Sequence, residues 1–195
     1  MNRKTQIKRE TLETKIALTI DLDGRGTSNI QTGIGFFDHL LKSFAKHSFI
    51  DLTLNCEGDL EVDTHHTIED VGITLGTAIK EALGDKKSIK RYGYFILPMD
   101  EALLLCSLDL SGRPYFNYDV ELPAERVGSF ECEMVKEFFY AISYSTGMNL
   151  HIKMLAGENT HHIIEGIFKA FGKALDEAIR YDSRIENVLS TKGSL

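Results

Sequence analysis

The sequence has few features that would place it outside ordinary globular proteins. It holds three cysteines, Cys56, Cys106 and Cys132, an odd number without CxxC spacing. That excludes a disulfide framework and a thiolate zinc site. Three prolines and no Ser- or Gln-rich tract leave little room for a long disordered segment. No dense Lys/Arg stripe runs through the chain. With 22 Lys+Arg against 29 Asp+Glu the formal net charge is −7, which argues against nucleic acid as the main partner. The basic start, MNRKTQIKRETLE, has no apolar core behind it and is not a signal peptide. The apolar run Ala102–Cys106 is far too short to cross a membrane. These absences point to a soluble, cytosolic chain without a membrane partner. A small anionic ligand held by two or three Arg or Lys remains compatible with them.

In its 195 residues, 43% are apolar and 26% charged, which suits one domain or two compact halves. The pattern repeats itself. Ile16, Leu18, Ile20 and Leu22 alternate with polar residues as a half-buried strand does. A Gly24-Arg25-Gly26 turn leads to a short strand near Ser28–Thr32, a helix marked by Phe36, Phe37, Leu40, Leu41, Phe44 and Ala45, and a strand at Asp51–Cys56. A long helix is predicted over Thr64–Leu83, with Thr64 as N-cap and Gly84 as its stop. The second half follows suit: strands at Leu103–Leu110, Tyr115–Leu122 and Asn149–Leu155, helices from Met134 to Ile142 and over Thr160–Arg180. Identities match as well. Asp21-Leu-Asp-Gly-Arg25 corresponds to Asp109-Leu-Ser-Gly-Arg113 at an offset of 88, and His65-His-Thr-Ile-Glu69 to His161-His-Ile-Ile-Glu165 at an offset of 96. Chance likeness of amphipathic elements explains the order of strands and helices, but poorly explains HHxxE twice at equivalent places. The expectation is a single domain, residues 1–195, made of two ββαβα halves (about 1–90 and 91–195). The class is α+β, with helices on one face of mainly antiparallel sheets.

Four of the seven histidines lie in the two HHxxE motifs. On a helix, residues i and i+4 share a face while neighbours diverge by about 100°. So His65 with Glu69, and His161 with Glu165, can each grip an ion. His66 and His162 point elsewhere and should serve a different ion from their own pair. His39 and His151 are the obvious residues to complete two sites, and His47 reads as an ordinary hydrogen-bonded histidine. Imidazole and carboxylate without thiolate suit manganese, iron or zinc, with nickel and cobalt also open. The competing reading is a capping cluster in which Glu69 and Glu165 merely complement the helix dipole. The pattern is not the HExxH of zinc proteases, because the carboxylate closes the motif. Arg91, Arg113 in its Gly-bearing turn, and Lys192 in the tail Ser190-Thr-Lys-Gly193 form a second constellation. Taken singly each is a solvated charge; together they suit a phosphate.

The segments RETLET (9–14), TGIGFFDHLL (32–41), DTHHTIED (63–70), PMDEAL (98–103), DLSGRPYF (109–116), LHIKMLAGENTHHIIEG (150–166) and STKG (190–193) carry a family resemblance. The chain resembles imidazole-glycerol-phosphate dehydratase, an enzyme of histidine biosynthesis, in its monofunctional form. The resemblance implies a duplicated, left-handed βαβ-type half-domain of the ribosomal protein S5 domain 2-like fold. It implies a homo-24-mer built of trimers, with two Mn2+ per active site where subunits meet. The implied ligands are His39, His65, His66, Glu69, His151, His161, His162 and Glu165. Arg91, Arg113, Ser190 and Lys192 would hold the substrate phosphate, and Glu13 would be the acid–base residue. The implied substrate is an imidazole with a glycerol phosphate chain, whose carbinol C–H is not acidic. Ions at the ring nitrogens would favour loss of the ring N–H, letting the electron-rich ring expel the neighbouring hydroxyl. Two other classes use the same residue types: a two-metal phosphate-ester hydrolase and a non-catalytic metal-binding protein.

Overall fold

A computed structural model describes residues 3–195. The first half contains β1 (Lys4–Glu10), β2 (Thr14–Asp21), β3 (Ser28–Gln31), α1 (Gly35–Ser48), β4 (Asp51–Gly58) and α2 (His65–Leu83). The second contains β5 (Tyr92–Met99), β6 (Ala102–Asp109), β7 (Tyr115–Asp119), a small hairpin β8 (Arg126–Val127) and β9 (Phe130–Glu131), α3 (Met134–Thr146), β10 (Asn149–Ala156) and α4 (Thr160–Ile179). Each half builds a four-stranded sheet with the same order, β1-β2-β4-β3 and β5-β6-β10-β7. Only β3 with β4 and β7 with β10 pair in parallel. The fold is therefore α+β with antiparallel-rich sheets, and each four-stranded sheet carries one more strand than the alternating pattern predicts, with the β8–β9 hairpin further to those.

The additional strands, β1 and β5, lie at sheet edges and hydrogen-bond in register to β2 and β6. Ile7 is the only large apolar residue of β1, so nothing in its composition demands burial. In β5 the run Tyr94-Phe95-Ile96 is exposed on both faces, so it does not alternate, and Pro98 is tolerated because an edge strand has an unpaired side. The strands that alternate in sequence do so for the expected reason. Ile16, Leu18 and Ile20 of β2, with Leu52 and Leu54 of β4, turn one face into the core while their neighbours face outward.

Helices of each half lie on their own sheet and meet those of the other half, α1 against α4 and α2 against α3. The core is aromatic where the helices meet: Phe44 of α1 stacks on Phe171 of α4 across the halves at 5.4 Å, and within the second half Phe168 packs on Phe138 and Phe139 at 5.2 and 4.9 Å. Two glycines separated by 96 residues, the offset of the HHxxE motifs, permit the crossings. A Cβ on Gly76 would sit 2.8 Å from the Ile142 carbonyl, and one on Gly172 3.0 Å from that of Phe44. Both obstacles are backbone and cannot swing away. Replacing Gly76 by Ala should thus destabilise the protein by about 1–2 kcal/mol net, although the helix itself would gain about 1 kcal/mol in propensity. A lower urea midpoint is the expected measurement; an unchanged or raised midpoint would show that the crossing can relax.

Helix starts place the chemistry. The His65 amide donates to Asp63 Oδ1 at 2.7 Å, so Asp63 supplies the cap expected of Thr64, whose side chain makes none. Thr64 already has αR backbone angles, which aim its hydroxyl away from the free amides. In α4 the Asn159 side chain accepts from the amides of His161 and His162. Each HH pair therefore stands in the first turn of a long helix. Gly84 ends α2 with φ +57, as its position predicts.

Candidate active site

Packing of α1 on α4 gathers His39, His161 and Glu165, whose ligand atoms lie within 4.8 Å of one another. Glu165 Oε2 is 3.1 Å from His39 Nε2 and 3.1 Å from His161 Nε2. Its other oxygen is 2.8 Å from Lys169 Nζ, one turn further along α4, and 3.4 Å from Ser43 Oγ. Burial pushes the Glu165 carboxyl up, but the hydrogen bonds from Lys169 and His39 prevail and hold it near about 2. Two imidazole nitrogens and an ionised carboxylate oxygen thus face one point, a donor set that fits a divalent transition ion. Lys169 was not singled out in sequence; its signal is the i+4 spacing from Glu165.

On α2, His65 Nε2 lies 3.6 Å from Glu69, again at i+4. No third ligand from the described residues joins this pair. The repeat explains the difference: at the 98-residue offset that pairs Phe49 with Gly147, both left-handed at a helix end, His39 corresponds to Glu137. His66 and His162 diverge from their own pairs as the helix geometry predicts. His66 Nδ1 lies 2.9 Å from Asp59, and His162 Nδ1 2.8 Å from Glu101. Those bonds raise the pKa of both imidazoles, and the His162 contact, with the Asn159 amide, lowers Glu101 to about 2. His151 stands exposed on β10 beside the Tyr115 ring, outside the cluster. His47 Nδ1 is 2.9 Å from the Ser43 carbonyl, as an ordinary helical histidine.

Glu13 occupies the β1–β2 turn, half-exposed, with Oε1 3.6 Å from His66 Nε2. The turn is pinned on both sides. Arg9 and Thr14 each donate to Asp70, next to Glu69 on α2, at 2.5 Å. The Asp59 amide donates to the Glu13 carbonyl at 3.1 Å. Asp70 and Asp59 are positional residues that spacing alone did not reveal.

Arg91, Arg113, Ser190 and Lys192 line one cavity of about 760 Å³. Arg91 is buried and already engaged: Nε and Nη2 donate to Asp109 at 2.6 and 3.0 Å, and Nη1 to the Leu189 carbonyl at 2.6 Å. It fastens the tail while keeping spare N–H groups. Its repeat mate, Arg3, forks onto Asp23 and reaches the Ile179 carbonyl in the same manner. The cavity lies far from the histidine centre. The Arg91 amide bonds to the Ala178 carbonyl, and Ala178 follows His161 on α4 by 17 residues, an axial distance of about 25 Å.

Two imidazoles and a buried carboxylate converging on one point, with the HHxxE motif present a second time, define a histidine–carboxylate centre suited to a metal ion. Comparison with known proteins narrows the class. The family model described as imidazoleglycerol-phosphate dehydratase matches residues 32–175. Imidazoleglycerol-phosphate dehydratases of Lachnoclostridium phytofermentans and Acetivibrio thermocellus are 62% and 60% identical over the whole of both chains. The crystal structure of the Staphylococcus aureus enzyme is 40% identical, with a TM-score of 0.84 over 92% of this chain and 99% of that one. That of Pyrococcus furiosus is 38% identical at the same TM-score, over 97% and 100%. The chain belongs to the imidazoleglycerol-phosphate dehydratase family.

Proposed function

We propose that the chain is a histidine-biosynthetic lyase that converts imidazole-glycerol phosphate into imidazole-acetol phosphate and water, using two Mn2+ per active site. The observation that carries this reading is the convergence of His39, His161 and Glu165 on one point, in a chain of this family. His65 and Glu69 begin the second ligand set. His66, His151 and His162, turned away from both sets within one chain, complete them across subunit boundaries. Ions held there supply Lewis acidity that eases loss of the ring N–H proton. Arg113, Lys192, Ser190 and the spare N–H groups of Arg91 bind the phosphate and fix the glycerol chain in direction. Glu13, on its pinned turn, takes the proton from the carbon beside the carbinol and returns one to form the ketone.

The separation of about 25 Å along α4 supports a site shared between chains, since one extended substrate spans well under half of it. A homo-24-mer assembled from trimers is the arrangement proposed, in the cytoplasm. No described helix is long and apolar enough to cross a membrane.

The test is to incubate the purified protein with imidazole-glycerol phosphate and Mn2+. Ketone formation without phosphate release is expected; release of inorganic phosphate would favour a hydrolase. Arg113→Ala and Lys192→Ala should each raise KM roughly ten- to a hundredfold, the loss of one charge-assisted contact of about 1.5–3 kcal/mol. Arg25, the repeat mate of Arg113, is the control, and Arg25→Ala should have a milder effect. Unchanged KM in both cavity variants would return Arg113 and Lys192 to the role of solvated charges.

A further inference from the structure

His66 and His162 are each held on the Nδ1 side by a carboxylate outside the HHxxE motif, but the two carboxylates are not repeat mates. Asp59 follows β4, whereas Glu101 sits in the β5–β6 turn, and the 88-residue offset pairs Glu101 with Glu13. The equivalent turns have diverged: Glu101 meets His162 at Nδ1, and Glu13 faces His66 at Nε2. The second oxygens differ too. Glu101 Oε1 accepts the Asn159 amide at 2.8 Å and the Glu158 amide at 3.3 Å. Asp59 Oδ1 is buried with no protein partner among the described residues.

An imidazole ligates an ion through a nitrogen that carries no proton. An ionised carboxylate can only accept, so it keeps the proton on Nδ1 and leaves Nε2 bare. We propose that Glu101 is a positioning residue of the metal centre, holding His162 in the tautomer whose Nε2 can ligate. Asp59 gives His66 the same orientation through a contact that an amide can replace. The proposal rests on the reading of His66 and His162 as ligands.

The difference in second oxygens sets the outcome of isosteric substitution. In Glu101→Gln the Asn159 amide N–H claims the side-chain oxygen, so the NH2 group faces His162 Nδ1. A donor there requires a bare Nδ1, which puts the imidazole proton on Nε2 and blocks the ligating atom. In Asp59→Asn nothing holds the other oxygen. The amide turns its carbonyl to His66, and the tautomer survives.

Mn2+ titration followed by the free-ion electron paramagnetic resonance signal reads this without any turnover. Glu101→Gln should lose about 10- to 100-fold in affinity at one ion, and Asp59→Asn no more than about threefold. Glu101→Ala distinguishes orientation from mere packing. It deletes every contact yet leaves both tautomers open, so Gln should be at least as damaging as Ala. A plainly structural role predicts the reverse, and that order would overturn the proposal. Wild-type affinity in Glu101→Gln, or equal losses in Glu101→Gln and Asp59→Asn, would do so as well. His162→Ala separates this failure from that of the ligand reading. If His162→Ala binds Mn2+ as tightly as the wild type, His162 is not a ligand. If it binds weakly while Glu101→Gln does not, His162 is a ligand and the positioning role is lost.

Discussion

Chains with Glu165→Ala and chains with Arg113→Ala plus Lys192→Ala, each nearly inactive by itself, should regain activity when assembled together. Glu165 is the carboxylate on which His39 and His161 converge, so its loss removes the centre of one ligand set. Arg113 and Lys192 line the cationic cavity, which lies at the other end of α4 from that centre. If one chain's histidine centre works with another's cavity, a mixed particle contains some sites with both parts intact. Random mixing in equal amounts puts an intact centre opposite an intact cavity at about a quarter of the sites. Activity near that fraction of the wild type is expected after co-refolding or co-expression. If centre and cavity of one chain served the same substrate, every site would carry one defect. Mixing would then give only the average of the two parents.

Chelation should abolish activity and also shrink the particle. Only three of the eight proposed ligands gather within one chain, and His151 stands exposed on its strand. An ion that draws its remaining ligands from a neighbour binds the assembled state and not the separated chains. Mass action then stabilises the assembly by several kcal/mol at ion concentrations well above Kd, about 2.7 kcal/mol for a hundredfold excess. If the ions are held there, their removal would also leave imidazoles and carboxylates facing one another at the boundary without the charge that joined them. Smaller oligomers, such as trimers, are expected, with the large particle returning when Mn2+ is restored. Light scattering with a parallel metal analysis reads the outcome. A particle that keeps its full size with no residual metal would show that apolar contacts alone hold the chains.

Much of this arrangement is legible in the sequence because two physical periods carry it. Alternation exposes β2, β4, β6 and β10, and spacing of three and four residues exposes the four helices. The same i+4 geometry brings His161 to Glu165 and His65 to Glu69, and turns His66 and His162 aside. What stays hidden has no period. The polar β1 and the outward-facing apolar residues of β5 become strands only because β2 and β6 offer them hydrogen-bonding edges. Asp59 and Glu101 reach their histidines through loops whose paths depend on the whole fold. The short β8–β9 hairpin has no counterpart in the first half, so the repeat could not announce it. One missed residue did leave a trace: aligning the halves at the 88-residue offset sets Glu101 over Glu13.

The pairing of α1 with α4 and α2 with α3 governs how such a chain can come off the ribosome. When the first half has been synthesised, the inner faces of its two helices still lack the partners that will cover them. α1 waits longest, because its partner α4 is the last of the four helices in chain order. The nascent first half is therefore a sticky intermediate and not a finished module. The two halves are not beads on a string. Each half is the lid of the other, and the folding of either is completed only once α4 has been made.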